Sequence, residues 1–143
     1  MDLNKTVTNY PDDIKIHVKL KIALLWVSVT LCYLYGDYFE LYVPQKAAGL
    51  ISGQNLLDSP LKLFAASVLL AIPAVMVFLS VVLKARLNRW LNIILGIFFT
   101  VIMLLIAINS FTAWRAFYVF LALVESTLTA LITWYAFTWS AKK

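Results

Sequence analysis

The side chains most able to do chemistry in this chain are acids that lie among apolar residues. Glu125 is inside an apolar stretch that runs from Ala116 to Trp139. Because a helix rises about 1.5 Å per residue, Glu125 would lie roughly 13 to 14 Å from Ala116, near the middle of a bilayer. Hydrocarbon cannot solvate a carboxylate, so the group must be neutralised, paired, or turned toward a protein interior or a wet cavity. Glu125 is predicted either to bind a ligand or a proton, or to hydrogen-bond a neighbouring helix and hold a bundle together.

A second polar group is predicted where the first apolar stretch ends. Tyr33, Asp37 and Glu40 are spaced i, i+4, i+7 and share one face of a helix. Arg115 precedes the last apolar stretch at the same level, so it is expected to pair with Asp37 or Glu40. With Glu125 and two neighbours of Arg115, these residues form the candidate ligand-binding set: Glu125, Asp37, Glu40, Tyr33, Arg115, Asn109 and Trp114. The alternative is a cluster of interfacial charges that anchors helix ends.

Signatures of familiar enzymes, metal sites and nucleic-acid readers are missing from the sequence. His17 is the only histidine and Cys32 the only cysteine, so neither a metal-ligand set nor an intrachain disulfide is predicted. Hydrolase, kinase, P-loop and dinucleotide motifs are absent as well. The basic residues gather at the ends of apolar stretches and form no basic stripe with base-reading partners. We therefore predict no catalytic residue, metal, cofactor or nucleic acid, and we favour a protein that is not an enzyme.

The composition indicates a membrane protein. Hydrophobic residues make up 63% of the 143 and charged residues only 13%, whereas a soluble domain is about half apolar and a quarter charged. Four apolar stretches reach the roughly 20 residues that cross a bilayer; they cover about 22–42, 61–83, 91–111 and 116–139. The sequence thus predicts an all-α fold, an integral membrane four-helix bundle in which 1–143 form a single transmembrane domain. A short helix at 44–51 is predicted on the outer surface.

The cations predict the orientation of this bundle. With four spans, nine lysines and arginines fall on one side and three on the other. The larger group is Lys5, Lys15, Lys19, Lys21, Lys84, Arg86, Arg89, Lys142 and Lys143, and the smaller is Lys46, Lys62 and Arg115. Because cytoplasmic loops carry the excess of lysine and arginine, both termini are predicted to be cytoplasmic. The connections between the second and third spans and between the third and fourth spans are short. We therefore expect each of these two pairs of spans to be antiparallel neighbours. Pro73 is expected to bend the second span.

Four strings between Leu25 and Trp139 carry a resemblance to a known family: LWVSVTLCYLYGDYFELYVP, AIPAVMVFLS, RLNRWLNIILG and LVESTLTALITWYAFTW. They resemble a family of small bacterial four-span membrane proteins of unknown function, and they are loosely similar to the broader DoxX-like group. The recognisable positions are Tyr35, Gly36, Asp37, Tyr38, Pro44, Pro73, Asn88, Arg89, Trp90 and Glu125. The resemblance implies a multi-pass protein of a bacterial inner membrane. Since that family has no established activity, the resemblance implies no function.

Three functions are compatible with these patterns. The first is a non-enzymatic protein that binds a small lipophilic or cationic ligand in an intramembrane pocket formed by Glu125, Asp37 and aromatic side chains. The second is a proton-coupled small-molecule transporter or channel, which would be a homo-oligomer because four short helices are thin for a transport path. The third and weakest is a membrane-embedded enzyme or enzyme accessory, since no pair of nucleophile and base is recognisable. The lipid bilayer is the expected partner in all three.

Overall fold

The computed structural model describes residues 14–139, which form five α-helices and one short 3-10 helix. In chain order they are α1 Val18–Glu40, α2 Lys46–Ser52, α3 Pro60–Val82, α4 Ala85–Asn109, the 3-10 helix Ala113–Arg115, and α5 Ala116–Thr138. No β-strand occurs within 14–139. Lys5, Lys142 and Lys143, which are predicted to lie on the cytoplasmic side, are outside the described residues. We call the end of the bundle with Val18, the α3–α4 turn and Thr138 the terminal end, and the opposite end, with 41–59 and 110–115, the loop end.

The four long helices α1, α3, α4 and α5 are each long and apolar enough to cross a membrane, which suggests a multi-pass membrane protein. The predicted spans fall on these helices, but two helices extend beyond them. α1 begins at Val18 and α4 at Ala85, where the apolar stretches were expected to begin at 22 and 91. The reason is that hydropathy marks the apolar part of a helix, whereas lysine and arginine are good helix formers and continue it into polar surroundings.

The helix ends are stabilised by local and long-range bonds. Ser59 accepts a hydrogen bond from the backbone N–H of Lys62 at 3.4 Å, and Pro60 is the first residue of α3. At the terminal end, Lys19 donates to the carbonyl oxygens of Val81 and Leu83 at the end of α3, at 3.1 and 2.6 Å. A cation at a helix C-terminus satisfies free carbonyls and complements the helix dipole. Lys19 therefore fixes the end of α3 to α1.

α2 lies in the connection between α1 and α3, and it covers Lys46–Ser52 where the sequence predicts 44–51. Gly53 follows it in the left-handed conformation, with φ of 77°. A glycine adopts that conformation without a steric penalty and commonly ends a helix in this way. The short length of α2 follows from this glycine.

The long helices pack in an order that differs from their order along the chain. α4 packs along α5, and α1 contacts both α5 and α3. α3 and α4 touch only slightly, so the expectation that spans two and three are neighbours was wrong over most of their length. The turn at residues 83–84 brings two helix ends together but does not decide which faces pack beyond it. The spatial order is therefore α3, α1, α5, α4.

The best-packed part of the bundle is its half toward the terminal end. A cluster of almost fully buried apolar side chains from all four long helices fills this half: Ile22, Trp26, Val29, Met76, Phe99, Ile132 and Ala136. α3 follows the same division, because its three buried residues, Pro73, Met76 and Ser80, all lie in the half nearer the terminal end. The loop half of the bundle is consequently less filled.

Candidate ligand-binding cavity

A cavity of about 120 Å³ lies between the four long helices in the loop half of the bundle. Each long helix contributes to its wall: Tyr33, Gly36 and Asp37 from α1, Leu69 and Leu70 from α3, Phe99, Ile102, Met103 and Ile106 from α4, and Tyr118, Leu121, Ala122 and Glu125 from α5. Most of these side chains are apolar, and no basic side chain is among them. The cavity is thus an apolar space bordered by two carboxylic acids.

Glu125 is the more buried of the two acids, with 4% of its surface exposed. Its carboxyl makes no hydrogen bond and no ion pair with any residue between 14 and 139. The nearby hydroxyls bond to backbone instead: Ser126 donates to the carbonyl oxygen of Leu123 at 2.9 Å, and Thr129 to that of Glu125 at 2.9 Å. A buried carboxyl without a partner has a large desolvation cost. Glu125 is therefore a group that a ligand or a proton would stabilise.

Tyr33 and Asp37 place two further polar groups at the same cavity. The Tyr33 hydroxyl is buried and has no hydrogen-bond partner within the described chain. Its ring lies 6.2 Å from that of Phe99, between centroids, and this contact helps to hold it in the wall. Asp37 is exposed and makes no ion pair within 14–139. Asp37 and Glu125 both line the cavity, so the two acids lie at one site.

Arg115 pairs with Glu40 and not with Asp37. Its Nη2 lies 2.9 Å from Glu40 Oε1, and Lys46 Nζ lies 2.7 Å from the same oxygen. We call these three residues the loop-end ion cluster; it connects α1, α2 and the start of α5. Because Glu40 is already shared by two cations, Arg115 does not neutralise Asp37. Glu40 is the ion-pair partner of both cations, and no cation of the described chain pairs with an acid at the cavity.

The other two members of the predicted set lie away from the cavity. Asn109 is exposed, and its amide donates to the carbonyl oxygen of Leu105 in its own helix at 2.7 Å. Trp114 is 65% exposed. Of the seven predicted residues, the structure places Glu125, Asp37 and Tyr33 around the cavity, Glu40 and Arg115 in the loop-end ion cluster, and Asn109 and Trp114 elsewhere at the loop end.

Comparison with protein families identifies the group to which this chain belongs. The family of unknown function DUF6326 matches residues 13–143. The chain is a member of that family. No curated protein matches it, and no solved structure does either. The match covers the cavity and the loop-end ion cluster, but the description of the family assigns no activity to either.

Sequence reasoning missed a polar network that this member of DUF6326 buries at the terminal end. Trp26 Nε1 donates to Asn92 Oδ1 at 2.6 Å, and the Asn92 amide donates to the Asn88 carbonyl oxygen at 2.8 Å. The Asn88 amide in turn donates to the carbonyl oxygen of Ser80. All four residues are fully buried. The available signal was the i, i+4 spacing of two asparagines at the start of an apolar span, where an amide needs a partner.

Proposed function

We propose that this chain is a multi-pass membrane protein, in a bacterial inner membrane, that binds a small lipophilic cation in its intramembrane cavity and catalyses no reaction. The observation that carries the proposal is the Glu125 carboxyl, which is almost completely buried, borders a cavity and has no partner within 14–139. An intramembrane acid in such a position is a functional-site hypothesis by default. The resemblance to small bacterial four-span proteins supports the choice of membrane.

The charges at the two ends support an orientation with the terminal end in the cytoplasm. The described part of that end carries six cations and no acid: Lys15, Lys19, Lys21, Lys84, Arg86 and Arg89. At the loop end each of the three cations is in an ion pair, Lys46 and Arg115 with Glu40 and Lys62 with Asp58. An excess of lysine and arginine favours the cytoplasmic side. The cavity then lies in the outer half of the bilayer.

A cation is the ligand charge that fits the cavity best. Two acids, Glu125 and Asp37, border it, and the nearest arginine is engaged by Glu40. The rings of Tyr33, Phe99 and Tyr118 are in the wall, and aromatic faces attract cations. An engineered apolar cavity of about 150 Å³ binds benzene, so a space of about 120 Å³ accommodates a group of roughly that size. The part of the ligand inside the cavity would therefore be an ammonium group with a compact apolar portion.

Two observations favour binding over the alternatives. A glutamic acid that holds a bundle together should hydrogen-bond to a neighbouring helix, and the Glu125 carboxyl makes no such bond within 14–139. A channel needs a continuous path, but the half toward the terminal end is filled by the core cluster that includes Trp26, Phe99 and Ile132. The space beside Glu125 thus ends inside the bundle, as a binding site does.

The test is equilibrium binding of benzylamine to the protein in lipid nanodiscs. We expect Glu125→Gln to weaken binding by at least about tenfold, because the amide keeps the shape of the side chain but loses the charge. Asp58→Asn is the matched control, since Asp58 is half-exposed, lies in the loop-end connection and pairs with Lys62 away from the cavity. Equal affinity for benzyl alcohol and benzylamine, or unchanged affinity in Glu125→Gln, would contradict a cation site.

Proton flux separates binding from transport. Liposomes that contain the protein and an outward or inward benzylamine gradient should show the same proton flux as empty liposomes, because the filled half of the bundle blocks passage. The matched measurement is Glu125→Gln in the same liposomes. A flux that the wild type supports and Glu125→Gln abolishes would replace the binding proposal with proton-coupled transport.

A further inference from the structure

On the basis of the proposed function, we infer that the natural ligand is a single-chain amine whose ammonium group lies at Glu125 and Asp37 and whose alkyl chain leaves the bundle between α3 and α4. The cavity would hold only the polar head of this ligand. The chain would extend into the surrounding lipid. The inference names a substrate class, a long-chain primary or secondary amine, and a lateral route to the site.

The size of the cavity is the first argument. Sites that enclose a drug-sized ligand have volumes of about 300 to 1,000 Å³. The space bordered by Glu125 and Asp37 is about 120 Å³, which suits a head group and a few carbon atoms. A lipophilic amine with a longer body can use this site only if part of it projects out of the bundle.

The seam between α3 and α4 is where the chain can project. These two helices touch only slightly, whereas α4 packs along α5 and α1 packs against both α3 and α5. The cavity reaches the seam, because Leu69 and Leu70 of α3 and Ile102 and Ile106 of α4 all contribute to its wall. These four side chains are aliphatic and offer no partner to a polar group. They suit an alkyl chain, with the charged end directed inward to Glu125.

α3 is built so that its loop half can move aside. None of its residues from 60 to 72 is buried, and Leu70 is 42% exposed. Pro73 lacks the N–H that would bond to the carbonyl oxygen of Leu69, so the helix is less restrained next to the cavity. The other half is fixed by the bonds from Lys19 to Leu83 and from Asn88 to Ser80. A small outward displacement of the loop half would widen the seam and leave the core cluster intact.

The test is a chain-length series of butylamine, octylamine and dodecylamine, bound to the protein in nanodiscs and compared at equal concentration in the bilayer. An open seam predicts that dodecylamine binds at least as tightly as butylamine, and that Glu125→Gln weakens both. An enclosed cavity predicts that dodecylamine binds more than about tenfold more weakly than butylamine, and that result would overturn the inference while leaving the proposed function in place. If no amine of any length binds in a Glu125-dependent way, the proposed function fails and this inference fails with it.

A bulky side chain in the seam provides the second measurement. Leu70→Trp should weaken the binding of dodecylamine about tenfold more than that of butylamine, because the indole would fill the seam through which only the longer chain passes. Val68→Trp is the matched control, because Val68 is 49% exposed on the same helix and does not line the cavity. Ile106→Trp tests the seam from α4 if Leu70→Trp does not fold. The lateral route would be overturned if the seam variants weakened the binding of both amines equally, or if they did not weaken the binding of dodecylamine.

Discussion

Two kinds of buried polar residue occur in this bundle, and the difference between them indicates which is functional. The amides of Asn88 and Asn92 and the indole of Trp26 are fully buried and satisfy one another through hydrogen bonds. The Glu125 side chain is 4% exposed, borders the cavity and makes no hydrogen bond or ion pair within 14–139. A satisfied group contributes to stability, whereas an unsatisfied one costs free energy unless something binds to it. The first kind therefore holds helices together, and the second is available to a ligand.

This contrast predicts that Asn92→Ala destabilises the protein by about 1 to 3 kcal/mol, because it leaves the buried Trp26 N–H without an acceptor. The measurement is the free energy of unfolding of the purified protein in detergent. Asn109→Ala is the control, since the Asn109 amide is exposed and bonds only within its own helix; it should change stability by less than about 0.5 kcal/mol. Wild-type stability in Asn92→Ala would mean that the network is not a structural contact.

At the scale of elements, the tightest contact is between α4 and α5. Gly96 of α4 faces α5 so closely that an added Cβ would collide with the Thr133 hydroxyl and lie 3.1 Å from the Thr129 carbonyl oxygen. Hydroxyls complete this contact, since the Thr100 and Thr129 oxygens are 2.7 Å apart. Small residues that let backbones approach, with hydroxyls that bond across the interface, are typical of helix pairs in membranes. α4 and α5 thus form the most closely packed helix pair of the bundle.

We expect Gly96→Ala to destabilise the protein by about 1 to 3 kcal/mol, because α4 and α5 would have to separate to admit the methyl group. Thermal or denaturant unfolding measures the effect. Gly36→Ala is the matched control: a Cβ there would lie 3.6 Å from the Tyr118 ring, an ordinary contact, and alanine is the better helix former. Equal stability of the two alanine variants would contradict the close approach of α4 and α5.

At the scale of the whole molecule, the two ends differ in the partners of their charged side chains. The cations described at the loop end are neutralised in ion pairs. At the terminal end, Lys19 and Arg89 donate to the carbonyl oxygens that end α3 and α5, the latter at 3.0 Å from Phe137 O. These cations therefore serve the helix ends as well as the orientation. The acids that border the cavity and the cations of the terminal end give the molecule a chemical asymmetry along its axis.

The proposed orientation predicts the labelling of single cysteines in a Cys32→Ser background. Gln54→Cys, in the loop-end connection, should react with a membrane-impermeant maleimide on intact cells, because Gln54 is exposed and that end faces outward. Ala85→Cys, at the exposed first residue of α4 at the terminal end, should react only after the membrane is permeabilised. The opposite pattern would reverse the orientation and place the cavity in the cytoplasmic half of the bilayer.

The sequence by itself determined the all-helical character and the four apolar stretches, since hydropathy and length are local properties of the chain. It also indicated Glu125, because an acid in an apolar stretch is conspicuous without any structure. Only the tertiary structure decided that α3 lies beside α1 and hardly touches α4, that Arg115 pairs with Glu40, and that Asp37 and Tyr33 share a cavity with Glu125. The physical reason is that these helices are apolar on nearly every face. Their sequences therefore do not distinguish the face that packs from the face that meets lipid, and shape complementarity among all four helices makes that choice.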